Sequence, residues 1–459
     1  MKRVDWKRLL AAGVTGCVLT AGAVARADES NAILDLLEKK GIITADEADM
    51  ARKYYTKQQA EAVVKFDKTK LGSWIDELKW NNDLRLRTEY FDNEDQSSTV
   101  DRLRFRYRLR LGFEAKFTDW ATAGFRLASG SASDPVSTNE TMDDMFQKDP
   151  IQIDLAYITV RPMNAEWIAI TGGKMNNPMW QPGFASPLLY DYDVTPEGVA
   201  EQLTWKLGRD QRHTLFVNAS QFVINEIANS SDTDGYLFDT QGGVDMKFGK
   251  DIKNPVVRAK LAGGFFWTDN AAVTNAIPNN SPTRGNSVKP NGSYLADFAV
   301  IHAEGEVAWQ LRDAPVLGTP AVLTVSGGYV KNIQEAFETL SGATTNIAPD
   351  QTQGWSVQAQ FGSAKKKGEW QVAYQYKYLE ADAVMDAVAD SDWGTVGGTD
   401  RKGHVVKAAY NIQEWWQLGI TAFITEKISN RPNSGARYTA APRTGEDLLR
   451  VQIDNVFKF

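Results

Sequence analysis

From Arg102 to Phe117 the chain alternates with a period of two. Leu103, Phe105, Tyr107, Leu109, Leu111, Phe113, Ala115 and Phe117 share one parity, and Arg102, Arg104, Arg106, Arg108, Arg110, Glu114 and Lys116 share the other. Successive side chains of a strand point to opposite faces, so this segment has one apolar face and one charged face. No helix accommodates such a pattern, because its faces are built from residues three and four apart. Five arginines at strict alternation along one strand are also foreign to a soluble sheet. A strand with lipid on one side and a wet lumen on the other needs both faces.

The end of the chain repeats the pattern. Val451, Ile453, Phe457 and Phe459 oppose Arg450, Gln452, Asp454 and Lys458. Termini of soluble domains are usually polar and frayed, whereas this one stops on Phe-Lys-Phe. An alternating last strand with a terminal Phe resembles the signal read by the bacterial barrel-assembly machinery. Phe457 and Phe459 are therefore expected to serve assembly, with outer-membrane lipid and lipopolysaccharide as surroundings.

The other end sets the compartment. Lys2, Arg3, Lys7 and Arg8 precede a small apolar run from Leu9 to Val24, and Ala25-Arg26-Ala27 supplies a cleavage site. Residues 1–27 thus read as a secretory signal peptide, too short in its apolar part for a membrane anchor. Val14-Thr15-Gly16-Cys17 loosely resembles a lipoprotein cleavage box and ranks second, because it leaves so little apolar chain before the cut. Cys17 is the only cysteine, so the mature chain has no disulfide and no thiolate ligand or nucleophile. The formal net charge of −7 becomes more negative without the basic leader, a poor match to nucleic acid.

Residues 28–77 form a separate, helical segment expected in the periplasm. Ile33, Leu36 and Leu37 fall at helical spacing before Gly41, and Thr44-Ala45-Asp46-Glu47 has the form of a capping box. Residues 78–459 then keep the period of two. Leu84, Leu86, Thr88 and Tyr90 alternate with Arg85, Arg87 and Glu89, and the run 102–117 follows. Further strands are expected near 120–128, 150–161, 166–175, 199–207, 212–224, 235–248, 255–267, 294–311, 319–332, 353–362, 368–380, 400–411, 414–426 and 447–459. Alternation is weak in 199–207 and 319–332. The expected fold is an all-β, transmembrane antiparallel barrel of about 16 strands, with 14 or 18 as alternatives. Short and long connections alternate throughout, as periplasmic turns and extracellular loops do. An even strand count puts both termini in the periplasm. Aromatics stand beside the short turns, among them Trp120, Trp167, Trp205, Phe248, Trp309, Trp370 and Trp415, as expected at a membrane boundary.

The motifs Asp101-Arg102-Leu103-Arg104-Phe105-Arg106-Tyr107-Arg108-Leu109-Arg110-Leu111-Gly112, Gly124-Phe125-Arg126-Leu127-Ala128-Ser129-Gly130, Asp134-Pro135-Val136-Ser137-Thr138-Asn139, Gly172-Gly173-Lys174-Met175-Asn176-Asn177-Pro178 and Pro196-Glu197-Gly198-Val199-Ala200 resemble those of the putative-porin family of Gram-negative bacteria. Leu36-Leu37-Glu38-Lys39-Lys40-Gly41-Ile42-Ile43 resembles leaders seen there and in phosphate-selective porins. The resemblance covers most of the mature chain. It implies a passive outer-membrane channel, assembled as a homotrimer, and carries over no substrate residues.

If the apolar parity of 102–117 faces lipid, Arg102, Arg104, Arg106, Arg108 and Arg110 line the lumen in a column and favour anions among small polar solutes. A plainer reading is that a lumen wall needs polar side chains and arginine is long and always charged. The long connection 176–198, with its prolines and aromatics, is the candidate constriction loop by analogy with general porins. Asp191, Asp193 and Glu197 would face the arginines there and set a transverse field. The loop 129–149, with Glu140, Asp143, Asp144 and Asp149, is the second candidate, better read as a solvated surface loop.

Catalysis is not expected. His213, His302 and His404 fall on three different strands, and no metalloprotease, nucleophile-elbow, phosphate-loop or dinucleotide motif is present. No metal or cofactor is expected either. A membrane-embedded hydrolase has little support, and residues 28–77 are too few for the plug of an energised transporter. A sheath around an extracellular electron-transfer cytochrome is the alternative function. Deleting Phe459 is expected to slow outer-membrane insertion and raise periplasmic degradation; normal assembly of the truncated chain in pulse-chase fractionation would contradict that role.

Overall fold

In the computed structural model, which describes residues 74–93, 101–228, 234–271, 284–287, 294, 297–334, 351–395, 397–428 and 447–459, the alternating segments become one closed antiparallel wall of 16 strands. These are β1 (Asp83–Asn93), β2 (Arg102–Thr118), β3 (Ala121–Ala128), β4 (Gln152–Val160), β5 (Ile168–Lys174), β6 (Glu197–Leu207), β7 (His213–Asn225) and β8 (Gly235–Phe248), followed by β9 (Val257–Asp269), β10 (Ala299–Gln310), β11 (Val322–Asn332), β12 (Gln353–Gly362), β13 (Trp370–Leu379), β14 (Arg401–Gln413), β15 (Trp416–Lys427) and β16 (Leu448–Lys458). Each strand pairs with the next. The ring shuts where β16 pairs with β1, from Leu448↔Asn93 to Lys458↔Asp83. Closure leaves no edge with free N–H and C=O groups, which hydrocarbon cannot satisfy. Two short strands add to the wall: Glu77–Trp80 continues the line of β1 along β2, and Glu140–Thr141 pairs with Arg106 and Tyr107.

All the expected strands are present, including the weakly alternating pair, now β6 and β11. The segment expected at 294–311 begins instead at Ala299. Tyr294 and Phe298 turn inward there and pack edge to face, and the Tyr294 hydroxyl donates to Asp386. The expected signal peptide and the expected helical segment up to residue 73 lie outside the described residues; residues 74–77, the end of that segment, are not helical, and Glu77 opens a strand. Among the described residues no helix is long and apolar enough to cross a membrane.

Parity decides which side each residue sees. Val357 is 52% exposed on the outer face of β12, and Gln358 beside it is 2% exposed on the inner face. Ile301, Val325, Val372 and Ile420 likewise point out, while Glu304, Ser326, Gln375 and Thr421 point in. The buried core therefore lies inside the ring, unlike that of a soluble sandwich. Tight connections (119–120, 161–167, 208–212, 249–256, 311–321, 363–369, 414–415) gather at one end and long ones at the other. Rings mark the tight end: Trp167 stacks on Trp205 at 5.9 Å, and Trp415, Trp416 and Phe457 stack together. A second set marks the loop end, where Phe238 and Trp267 stack at 4.8 Å. An arginine at Val357, near the middle of an outward face, should cost about 2–4 kcal/mol. Urea unfolding in lipid bilayers should show it as a lowered midpoint; an unchanged midpoint would mean that this face does not meet lipid.

Candidate functional site: the inner wall and its docked loops

The arginine column is on the inner face, as its parity requires. Leu103 is 50% exposed and outward, while Arg110 is 8% exposed and inward. The neighbouring strands widen the column into a basic wall. β1 supplies Arg85 and Arg87, β16 supplies Arg450 and β3 supplies Arg126 beside Arg104, Arg106, Arg108 and Arg110 of β2. Arg102 sits exposed at the rim.

A buried cation is costly unless it is paired, and most of these are. Arg87 grips Asp454 with two nitrogens, at 2.7 and 2.8 Å, and Asp392 at 2.9 Å. Arg450 reaches Glu89 and Asp392, both at 2.7 Å. Arg104 pairs with Glu89 at 2.5 Å, Arg108 with Asp83 at 2.6 Å, Arg126 with Asp154 at 2.5 Å and Arg110 with Asp193 at 2.8 Å. Glu89 and Arg450 are almost wholly buried, so removing either one should cost about 3–5 kcal/mol.

Two of those carboxylates come from loops that fold into the barrel. In the connection 175–196, Met175, Met179, Phe184, Leu188, Leu189 and Tyr190 form an apolar cluster with inward residues such as Phe222, Phe266, Val300 and Val330. The loop backbone has no strand to pair with, and three inward glutamines stand in for one. Gln241 both accepts from Trp180 N and donates to Trp180 O, at 2.8 Å each. Gln358 serves Ala185 N and Gly183 O, and Gln375 serves Ser186 N and O. Tyr190 donates to Asp239 at 2.7 Å, next to the buried His302.

The connection 380–400 is the second inward loop. Ala383, Val384, Met385, Ala387 and Ala389 join the same cluster, and Trp393 is fully buried with the Lys377 ammonium over its ring. Its inward course was not anticipated from the sequence. An Ala/Val/Met-rich stretch in a nominal surface loop was the available signal. Asp191 ties the two loops together, accepting from Ser391 N and Asp193 N, each at 2.8 Å.

The sequence-nominated residues thus take different places. Asp193 touches Arg110 directly and lies 3.8 Å from Arg108, with no gap between loop and wall. Asp191 is buried between the loops. Glu197 is exposed at the first residue of β6 and pairs with Lys174 at 2.9 Å. In the connection 129–151, Asp143 and Asp144 are exposed and Asp149 accepts from the Tyr107 hydroxyl. Thr138 and Asn139 of the same loop, which carried no charge signal, reach Arg110, Arg85 and Arg106. Phe457 belongs to the aromatic stack at the tight end, and Phe459 follows β16 exposed, its N–H 3.3 Å from Asn82 O.

Open space follows the wall formed by β2 to β5. A cavity of about 1010 Å³ at the loop end is lined by Thr138, Asp154, Lys174, Asp193 and Thr195 on one side and by Phe222, Met385 and Val388 on the other. One of about 210 Å³ at the tight end is lined by Glu114, Lys116, Thr122, Thr159 and Arg161. Tyr157 lines the cavity at the tight end and donates to Glu114 at 3.2 Å. Its ring lies flat on the wall because Gly124 is beneath it: a Cβ there would come within 2.3 Å of the ring. A bulge between Arg126 and Leu127 re-aims β4, so that Asp154 and Tyr157 both face inward.

Burial opposes the ionisation of Asp193 and Asp392, and the arginines outweigh it. Arg110, Arg108 and Arg85 hold Asp193 well below the usual carboxylate range, and Arg87, Arg450 and Arg85 do so for Asp392. Burial, then Asp193 and Asp390, push Asp191 the other way. A depressed folded-state pKa gives stability that is complete above the unfolded value, about 4 for Asp, and is lost as pH falls below it. Single-channel conductance should therefore stay flat from neutral pH to about 4 and rise only well below it, as pH approaches the depressed values of Asp193 and Asp392 and the loops detach. Asp392→Asn should show the raised conductance at neutral pH; conductance of that variant equal to that of the unmodified protein would exclude Asp392 as an anchor.

Residues 93–262 and 296–440 match the model of a family described as "putative porin". No curated protein sequence matches the chain. Among solved structures the chain is similar to OprB of Pseudomonas putida in its high-pH form, at 10% identity and TM-score 0.49, over 86% of this chain and 96% of that one. It is similar to a mutant of the Rh. blastica porin at 10% identity and TM-score 0.41, over 83% and 100%. It is also similar to OmpT, an outer-membrane protein of Vibrio cholerae in its trimer form, at 12% identity and TM-score 0.43, over 84% and 100%. The family match spans well over half of the sequence and includes β2 and β3 of the basic wall, so the chain belongs to the putative-porin family of outer-membrane channels.

Proposed function

We propose that the protein is a passive diffusion channel for small hydrophilic solutes, with a preference for anions, working in the outer membrane as a homotrimer. One observation carries the anion preference: the charges on the inner wall do not balance. The wall of β16, β1, β2 and β3 holds eight arginines below the rim (Arg85, Arg87, Arg104, Arg106, Arg108, Arg110, Arg126, Arg450). They meet six carboxylates (Asp83, Glu89, Asp154, Asp193, Asp392, Asp454). Among the described residues Arg85 and Arg106 have no ion-pair partner. Lys407 of β14 faces the same side, close to Asp454 and Arg87. Across the lumen β8 and β10 carry Asp239, Glu304 and Glu306, so a solute crosses a field that runs from a cationic wall to an anionic one.

A sheath around a cytochrome requires a wide lumen, and two loops with an apolar cluster occupy this one. That packing favours a narrow path for small solutes instead.

At about 10 Å in a water-like dielectric each unpaired charge stabilises an anion by about 0.4 kcal/mol and destabilises a cation by the same amount, roughly fourfold in their partition ratio. Replacing Arg85 and Arg106 together by Ser should thus lower the chloride-to-potassium permeability ratio about 16-fold, read from the reversal potential in planar bilayers under a salt gradient. The triple replacement of Arg104, Arg106 and Arg108 should shift it the same way. An unchanged reversal potential in both would remove the wall from the permeation path.

A further inference from the structure

Arg85 and Arg106 are held in a manner that calls for a partner from solution. Arg85 Nη2 donates to Asn139 Oδ1 at 2.5 Å, and Arg106 Nη2 donates to Asn139 O at 3.0 Å. Two guanidinium groups from adjacent strands therefore converge on the two oxygens of one residue. Asn139 is itself buried and fixed from behind by Ser137, whose hydroxyl accepts from its backbone N and from its Nδ2.

Every carboxylate near the pair is already engaged. Asp454 and Asp193, the acids beside Arg85, are taken by Arg87 and by Arg110. Glu89 and Asp392, the acids beside Arg106, are shared among Arg104, Arg450 and Arg87. The Nε hydrogens of Arg85 and Arg106 are buried and meet no acceptor. Buried polar groups are almost always satisfied, and a pair that is not points to an ion or water at that place. Two like charges brought together without a counter-charge point to an anion.

We propose that Arg85, Arg106 and Asn139 form a binding site for a small oxyanion, a carboxylate or phosphate group, next to the loop-end cavity that Ser137 and Thr138 line. The guanidinium fork presents parallel N–H groups that fit two oxygens of one anion, a geometry chloride does not exploit. The docked carboxylates beside it have the same chemistry. Asp392 bridges Arg87 and Arg450, and Asp193 sits on Arg110, so the loops set their own carboxylates on the arginines that flank Arg85 and Arg106. A solute entering from the loop end meets one site at which the wall is cationic and uncompensated. The site rests on the channel reading above and assigns it a solute class.

The test is saturable block of the chloride current through single channels of the full chain in planar bilayers. Inorganic phosphate is titrated in one arm and acetate in the other, at constant ionic strength. Block by either one that saturates supports the site, and the stronger of the two tells phosphate from carboxylate chemistry. Arg85→Lys with Arg106→Lys keeps the charge and removes the fork; the half-blocking concentration should rise at least tenfold in this variant. Arg258→Ser, on the wall at β9, should leave block as it is. Folding of each variant is checked by its heat-dependent mobility on gels. Block that grows linearly without saturating, or that is equal in the lysine variant, overturns the site. The reversal potential in potassium chloride alone reports separately on anion preference, so a selective channel without saturable block defeats the site and leaves the channel function standing.

Discussion

Closure of the backbone hydrogen-bond ladder is the constraint on which everything else depends. In hydrocarbon each unsatisfied N–H or C=O costs several kcal/mol, and an open sheet would expose two rows of them. Pairing of β16 with β1 removes both rows at once. The end of the chain is built into that seam: Lys458 stands in register with Asp83, and Phe459 N donates to Asn82 O. Once the ring is shut, parity is no longer free. A slip of one residue would turn every arginine of β2 to lipid and every Leu and Phe to water.

Fixed parity forces charge into a confined interior, and the inner wall shows how that is tolerated. Arginines on four adjacent strands are neutralised by acids on the strands and by Asp193 and Asp392, which two loops bring in. The loops need their own satisfaction. Gln241, Gln358 and Gln375 supply it by imitating a strand edge, each donating to and accepting from the loop backbone. The apolar side chains of the loops then pack on inward residues of the far wall. Pairing with arginine at one side and packing at the other together hold the loops across the lumen.

How much of this was legible in the sequence follows from the range of each interaction. Strands could be read because the lipid face imposes a local rule, one apolar residue in every two, with no reference to distant parts of the chain. Connections could be read because their lengths alternate. The arginine column was visible for the same local reason. Its partners were not, since Arg87 meets Asp454 367 positions away and Arg450 meets Glu89 361 positions away. Nothing in either segment marks the other. The loop carrying Asp191 and Asp193 was singled out by its prolines and aromatics, but its direct contact with Arg110 could not be inferred. The loop 380–400 was passed over because short alanine and valine side chains among aspartates read as an ordinary surface segment. Tyr294 and Phe298 extended an apparent strand for a related reason: an inward aromatic keeps the alternation after the ladder has stopped.

The same bookkeeping explains how an acidic protein can present a cationic inner wall. Net charge governs solubility and long-range steering, while permeation depends on the residual charge at the few positions a solute touches. Paired arginines add little to that residue, because each carries its own counter-charge at hydrogen-bond distance. On this wall the imbalance resides in Arg85 and Arg106, held side by side on Asn139, and in the proposed channel it is what a solute senses. Selectivity is then sensitive to single substitutions in a way that a naked column would not be: removing one of eight equal charges changes little, whereas removing one of two uncompensated charges changes half of the field. Loop carboxylates tune the same quantity from the other direction, since each one withdrawn from the wall uncovers an arginine. The loops therefore set both the width of the passage and its charge.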